Sequence, residues 1–172
     1  MDVVKGPDSE RDAIIRRMLE TYQTPLMRMC YLYLHDVHLA EDAVQETFIK
    51  AVRALESFRG ESAMKTWLMR IAMRTCCDMR RGFWFRRVDR RVTPEMLPEP
   101  QDDTDADEAE LTVAVMNLPP KEREVILLYY YQDMNVNEVA DALGVTQPTV
   151  SYRLRRARER LRTVLEEGNG HE

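Results

Sequence analysis

The sequence predicts an all-α fold of two small helical domains joined by an acidic flexible linker, and three observations carry that prediction. Apolar residues recur at spacings of three and four through both halves of the chain, and no stretch shows the alternation a strand needs. Glycine is scarce, six residues in 172, which argues against a turn-dense β fold and against a glycine-rich phosphate loop. Between the halves, Arg91 to Glu110 holds Pro94, Pro98 and Pro100, then Gln101-Asp102-Asp103-Thr104-Asp105-Ala106-Asp107-Glu108. Prolines remove helix donors, and like charges repel and extend the chain. The expected division is a first domain over 8–91, a linker over 92–107 and a second domain over 108–166, both domains within the range of small folding units.

In the first domain, Asp8 to about Leu34 reads as one helix. Ile14, Ile15, Met18, Leu19, Tyr22, Leu26, Met29, Cys30, Tyr33 and Leu34 form its apolar face, with Pro25 as a candidate kink or break. His35-Asp36-Val37-His38 reads as a connection. Leu39 to Leu55 is a second helix that buries Ala40, Ala43, Val44, Phe48, Ala51, Val52 and Leu55. Phe58-Arg59-Gly60-Glu61-Ser62 is a loop, and Ala63 to Arg81 a third helix with Trp67, Leu68, Ile71, Ala72 and Cys76 inward. Beyond the linker, Glu108–Asn117 is a short helix ended by Leu118-Pro119-Pro120. Pro120 then opens a helix to about Gln132, at a position where its missing N–H costs nothing.

The clearest motif lies at Asn135 to Arg160. Asn135 with Glu138 three residues on is a capping-box start. Val136, Val139, Ala140 and Leu143 make an apolar stripe, Gly144 stops the helix, and Val145 is the buried turn residue. Thr146 or Gln147 caps the next helix, where Val150, Leu154, Ala157 and Leu161 face inward. This is a helix-turn-helix pattern, whose second helix in such units enters the DNA major groove by its N-terminal end. The outward positions are Gln147, Thr149, Ser151, Tyr152, Arg155, Arg156 and Arg158. Short polar side chains at the tip suit base edges and phosphates, and the arginines suit phosphates or a guanine edge. The plainer reading is an amphipathic helix with solvated arginines.

Charge distribution supports the nucleic-acid reading although the net charge is −5. Residues 65–91 carry nine bases and two acids, and residues 92–110 carry eight acids and no base. Six arginines then fall between Arg153 and Arg162, against the single acid Glu159. Local basic patches bind nucleic acid in a net acidic protein. No apolar run is long enough for a transmembrane helix or a signal peptide. The three cysteines, Cys30, Cys76 and Cys77, are too few for a disulfide scaffold or a four-cysteine zinc site, so a reducing cytoplasm is the expected compartment.

At this point the sequence resembles the extracytoplasmic-function (ECF) group of bacterial RNA polymerase sigma factors, in the sigma-70 family. Leu118-Pro119-Pro120-Lys121-Glu122-Arg123-Glu124-Val125-Ile126-Leu127-Leu128 resembles the start of sigma domain 4. Ala142-Leu143-Gly144-Val145 through Thr149-Val150 to Arg156-Ala157-Arg158-Glu159-Arg160-Leu161 resembles its helix-turn-helix. Ala40-Glu41-Asp42-Ala43-Val44-Gln45-Glu46-Thr47-Phe48, Phe58-Arg59-Gly60-Glu61-Ser62 and Thr66-Trp67-Leu68-Met69-Arg70-Ile71-Ala72 resemble sigma domain 2. The resemblance covers about residues 12–82 and 108–162.

The resemblance implies a transcription initiation factor rather than an enzyme, with no cofactor. Its partners would be core RNA polymerase, through the β′ coiled coil and the β subunit, and promoter DNA. An anti-sigma factor, often membrane-anchored, would restrain a cytoplasmic, nucleoid-associated protein. Asp42, Gln45, Glu46, Phe48 and Ile49 would bind polymerase. Phe58, Arg59, Gly60, Glu61, Ser62, Lys65, Arg70, Arg74, Arg80 and Arg81 would read and open the −10 element. Gln147, Pro148, Thr149, Ser151, Tyr152, Arg155, Arg156 and Arg158 would read the −35 element. Three positions depart from the family pattern: Arg74 stands where asparagine is common, Pro148 where glycine is common, and Ser151 where a basic residue is common. Gly82-Phe83-Trp84-Phe85-Arg86-Arg87 matches no family hallmark, and packing is favoured over base stacking for its aromatics.

Three other classes compete with this reading. A metalloenzyme would use His35, His38, Glu41 and Asp42 as ligands, but no second ligand cluster and no nucleophile–base pair accompanies them. A free-standing helix-turn-helix regulator explains residues 135–160 but not the motifs around Asp42 and Phe58. A pure interaction protein, such as an inhibitor, would bind no DNA. Nothing in the sequence decides whether the two domains pack on one another.

Overall fold

The computed structural model describes residues 7–82 and 106–168, and no strand occurs among them. Its helices are α1 Pro7–Leu34, α2 Val37–Ala54, α3 Met64–Arg81, α4 Ala106–Met116, α5 Pro120–Ile126, α6 Val136–Leu143 and α7 Gln147–Gly168. A 3-10 turn, Leu55–Ser57, follows α2, and a π-helical turn, Leu127–Tyr131, continues α5. Phe83–Arg87 and the acidic stretch through Asp105 lie outside the described residues.

Local chemistry sets the helix ends. The joint between α1 and α2 is shorter than the four residues expected. His35 adopts φ 63, a left-handed turn that ends a helix and is usually glycine's role. Asp36 then caps α2 by accepting the Leu39 N–H at 2.9 Å. Because a side-chain cap fixes where a helix starts, α2 begins at Val37, ahead of its first buried residue. α1 runs unbroken through Pro25, so the expected break is absent. At α6, Asn135 and Glu138 form the full capping box, with Glu138 Oε2 accepting the Asn135 N–H at 2.8 Å. Gly144 closes that helix at φ 65, a left-handed conformation that glycine adopts without steric cost. Thr146, not Gln147, caps α7, its hydroxyl oxygen accepting the Thr149 N–H at 3.4 Å.

α1, α2 and α3 pack on one another, and α4 to α7 form a second group around α7. The two groups do not stand apart. α3 lies against α6, and α1 against α4, α5 and the π-turn, so buried apolar residues of both groups make one core. Covering α3 on three sides buries more than its sequence stripe predicted. Met69 and Met73 are buried along with Leu68, Ala72 and Cys76, while Trp67 and Ile71 are only partly so. An amphipathic pattern reveals one buried face, not a second partner on the flank.

The seam between the groups is polar where it meets the end of α1. The last carbonyls of a helix lack intrahelical donors and carry the negative end of its dipole. Arg123, only 4% exposed, reaches from α5 to fill that need. Its guanidinium donates to the Tyr33 carbonyl and to the Leu118 carbonyl, each at 2.8 Å, and lies 5.7 Å from the Tyr33 ring centroid. The Tyr33 hydroxyl donates to Glu124 Oε1 at 3.1 Å. Burial, then the Glu124 carboxylate, pushes the Tyr33 phenol far above its ordinary range, which keeps it a donor. Gln132, also buried, donates to the Pro25 carbonyl at 3.2 Å.

The cysteines belong to this packing. Cys76 Sγ lies 3.5 Å from Cys30 Sγ between α3 and α1, and the neighbouring thiol and burial both push Cys76 up. Cys77 sits at the seam beside Tyr33 and Glu124, where burial pushes its thiol up to about 11. A thiol held so strongly protonated is a poor nucleophile at neutral pH. Cys30 and Cys76 are buried in the core, and Cys77 is partly buried against it.

Arg123→Ala strands two buried carbonyls and should cost about 2–4 kcal/mol, read from the urea midpoint at unchanged slope. Tyr33→Phe removes one neutral-donor bond and should cost about 1 kcal/mol by the same measurement.

Candidate nucleic-acid interface and docking face

The recognition surface starts at the left-handed Gly144, which turns the chain from α6 into α7. Val150, Leu154 and Ala157 are buried and Leu161 is partly so, which anchors α7 by the expected stripe. That rotation leaves Gln147, Pro148, Ser151, Tyr152, Arg155 and Arg158 exposed. Thr149 and Arg156 are half-buried. Thr149 Oγ1 is tied to Thr146 Oγ1 at 2.8 Å, so its hydroxyl is part of the cap. The Arg155 guanidinium lies 5.5 Å from the Tyr152 ring centroid, holding an exposed cation at the outermost edge of the helix.

Acids on α5 restrain other arginines of α7. Glu124 lies 3.8 Å from Arg153, and Glu122 Oε2 lies 2.8 Å from Arg160 Nε. Neither α5 acid was singled out from sequence.

In the first domain, Phe58 packs on Trp67 with ring centroids 5.0 Å apart. This seats the loop over residues 58–62 at the head of α3. Gly60 takes φ 70 with open space around its missing Cβ, so the turn needs glycine for its backbone and not for room. Trp67, Arg70, Arg74 and Arg81 follow at steps of three, four and seven, one stripe of the helix. Arg59, Gly60, Glu61, Arg74 and Arg81 are exposed, and Phe58, Ser62 and Arg70 half-buried. Lys65 and Arg80 fall off this stripe. Arg80 leans over the Tyr33 ring at 5.9 Å, at the seam.

The candidate docking face lies on α2. Asp42, Gln45 and Ile49 are exposed at steps of three and four, an outward stripe. Glu46 is 3.5 Å from Lys50 Nζ, and Lys50 donates to Thr75 Oγ1 of α3 at 3.2 Å. Phe48, matched to the docking motif, is 8% exposed and part of the core, inward with Val44 and Ala51 as the apolar stripe predicts. It supports the face from below rather than meeting a partner.

The residues of the metalloenzyme reading are not gathered. His38 Nδ1 lies 3.5 Å from Glu41 Oε2 in a solvent-exposed pair. Among the described residues no group of three or more His, Cys, Asp or Glu is placed to hold a metal ion. Among them, too, no helix is long and apolar enough to cross a membrane.

Residues 18–86 match sigma-70 region 2, and residues 114–163 match sigma-70 region 4. The chain is 34% identical to the ECF RNA polymerase sigma factor SigG of Mycobacterium tuberculosis (strain CDC 1551 / Oshkosh), across 93% of this chain and 51% of that one. It thus spans about half the length of that relative. It is 32% identical to the RNA polymerase sigma-H factor of Pseudomonas aeruginosa, across 84% of this chain and 82% of that one. Against the ECF sigma factor SigW of Bacillus subtilis (strain 168), identity is 30% across 94% and 92% of the two chains. Among solved structures, the sigma factor RpoE of Bartonella quintana, in complex with the anti-sigma factor NepR, shares the fold. The TM-score is 0.73 at 24% identity, covering 89% of this chain and 97% of that one. With both regions matched in order and two relatives aligned over most of their length, the chain belongs to the sigma-70 family of RNA polymerase sigma factors, in its ECF group.

Proposed function

We propose that this protein is an alternative sigma factor that binds bacterial core RNA polymerase and directs it to promoters carrying particular −10 and −35 elements. The observation that carries the reading is the presence, in one chain, of two separate outward surfaces. One is the α2 stripe of Asp42, Gln45 and Ile49; the other is the polar tip of α7. A free-standing helix-turn-helix regulator needs only the second. The acids of α2 suit a basic polymerase surface, and Glu46, tied to Lys50, holds α2 against α3 as well as flanking the stripe.

In this reading the loop over 58–62 and the stripe through Arg70, Arg74 and Arg81 take the −10 strand. Opening a duplex takes bases out of the stack at a cost of about a few kcal/mol, which a pocket lined by Phe58 and Gly60 would offset. Gln147, Ser151 and Tyr152 face base edges of the −35 element, and Arg155 its phosphates. Arg59, Glu61, Ser62, Lys65 and Arg80 complete the first surface, and Pro148, Thr149, Arg156 and Arg158 the second. The acidic linker over 92–107 tethers the two readers, so that two weak contacts act together. Family resemblance adds restraint by an anti-sigma factor, which would hold the protein in the cytoplasm away from the nucleoid.

Reading both elements requires the seam to open. Elements about 25 base pairs apart are separated by about 85 Å of duplex. A compact 172-residue chain has a radius of gyration of only about 16 Å. Fluorophores on α2 and α7 should therefore move apart when core polymerase and promoter DNA bind; an unchanged transfer efficiency would contradict simultaneous reading of both elements.

Co-purification with bacterial core RNA polymerase tests the main claim. Wild type should be retained, and Asp42→Lys should lose binding at least tenfold while melting at an unchanged temperature, since Asp42 is exposed. Retention of neither, with tight binding to duplex DNA alone, would favour the free-standing regulator. A third expectation concerns salt: if α7 and its flanks neutralise about six phosphates, log affinity for promoter DNA should fall against log salt with a slope near −5. A slope near zero would remove the DNA role of the arginine cluster.

A further inference from the structure

The arginines of α7 are held in two chemically different ways. Arg153, Arg156 and Arg160 lie 3.8, 3.4 and 2.8 Å from Glu124, Glu159 and Glu122. A carboxylate at that range cancels much of the guanidinium's field. Arg158 is held by aromatic groups instead. Its Nε donates to the Tyr130 hydroxyl oxygen at 2.8 Å. Its guanidinium carbon lies 5.7 Å from the Tyr129 ring centroid and 5.6 Å from that of Tyr130. The two rings meet edge to face with centroids 4.9 Å apart. Ring faces attract a cation without neutralising it. Arg158 is therefore oriented and still fully charged.

Tyr130 is the unusual member. It sits in the π-turn after α5 with 50% of its surface exposed, although its neighbours Leu127 and Leu128 are core. A phenol oxygen that accepts one N–H keeps its own O–H to donate. Arg158 likewise has terminal N–H groups beyond the Nε that Tyr130 engages. Gln147, Ser151, Arg155 and Arg158 follow at steps of four, four and three, one stripe of α7. Arg158 lies eleven residues beyond Gln147, about 16 Å along the axis. With the tip of α7 at base edges, that distance exceeds the half-width of a groove about 12 Å across and reaches its phosphate rim.

We infer that Tyr130 and Arg158 form a clamp for one backbone phosphate of the −35 duplex, at the rim of the recognition surface. Arg158 supplies the charge and terminal N–H donors. Tyr130 supplies an O–H donor and fixes the guanidinium plane, and Tyr129 closes the stack. The clamp reads no base. It sets the register in which Gln147 and Ser151 meet the groove. The inference rests on the reading of α7 as the −35 helix, and it extends the DNA contact beyond the helix-turn-helix to the turn that precedes it.

Holoenzyme assembled from the full chain and core RNA polymerase is offered a pool of duplexes randomised over the −35 region, and affinity is then followed on the selected sequence across a salt series. Tyr130→Phe, which keeps the ring, should weaken binding by about threefold to tenfold with the salt slope unchanged. Arg158→Ala should weaken it by about tenfold or more and reduce the slope by about one. Both variants should select the same sequence as wild type. Wild-type affinity in both variants would overturn the clamp while leaving the −35 reading intact. An altered selected sequence with Arg158→Ala would overturn it in favour of a base contact. Failure of the wild type to select any sequence would remove the −35 reading itself, and the clamp with it.

Discussion

A guanidinium buried at the end of a helix is the constraint from which the arrangement of this molecule follows. Arg123 cannot leave water unless oxygen acceptors meet it, and the last turn of α1 has carbonyls without donors. Joining the two satisfies both. It also fixes α5 against α1, and α5 carries the acids that hold α7. Glu124 touches Tyr33 of α1 and Arg153 of α7, so one carboxylate links the first domain to the recognition helix. The apolar contact of α3 with α6 then closes around Met69 and Met73. The polar seam decides where the second domain sits, and apolar burial supplies the driving force.

The same carboxylates explain how a chain of net charge −5 presents a positive surface. Glu122 and Glu124 take the arginines on the flank of α7 that faces α5. Arg155 and Arg158, on the outer side, are held by tyrosine rings. The arginines facing α5 have carboxylate partners, while Arg155 and Arg158 stand beside rings, so positive charge without a carboxylate beside it is concentrated on the outer side of α7. In the first domain a similar sorting sets Arg70, Arg74 and Arg81 along one stripe and leaves Arg80 at the seam. A polymer of phosphates would meet two basic stripes, one on each domain, with the acidic α2 stripe available to a different partner.

Much of this was legible in the residues alone. The capping box at Asn135, the stop at Gly144 and the inward stripe of Val150, Leu154 and Ala157 each rest on interactions within a few residues, and each stands as read. Other features took their final form only in the helices themselves. Pro25 does not break α1. Phe48, matched to the docking motif and also on the inward stripe, is buried with Val44 and Ala51. Lys65 and Arg80 belong to a basic run in sequence but leave the stripe that the helix makes of it. Tyr130 lay hidden in the run Val125–Tyr131, which reads as uniformly apolar until the π-turn rotates one tyrosine outward.

The sequence by itself determined the helices, the capping box at Asn135, the stop at Gly144 and the family, because periodicity, capping and turn chemistry act over three or four residues and leave their mark in order. Only the tertiary structure decided that the units pack into one core, that Arg123 and Gln132 are buried, and which arginines of α7 meet the acids of α5. Those outcomes depend on carbonyls, carboxylates and rings brought together from positions up to about a hundred residues apart, such as Pro25 and Gln132. No local pattern can specify such a meeting, because its energy appears only once both surfaces have left water.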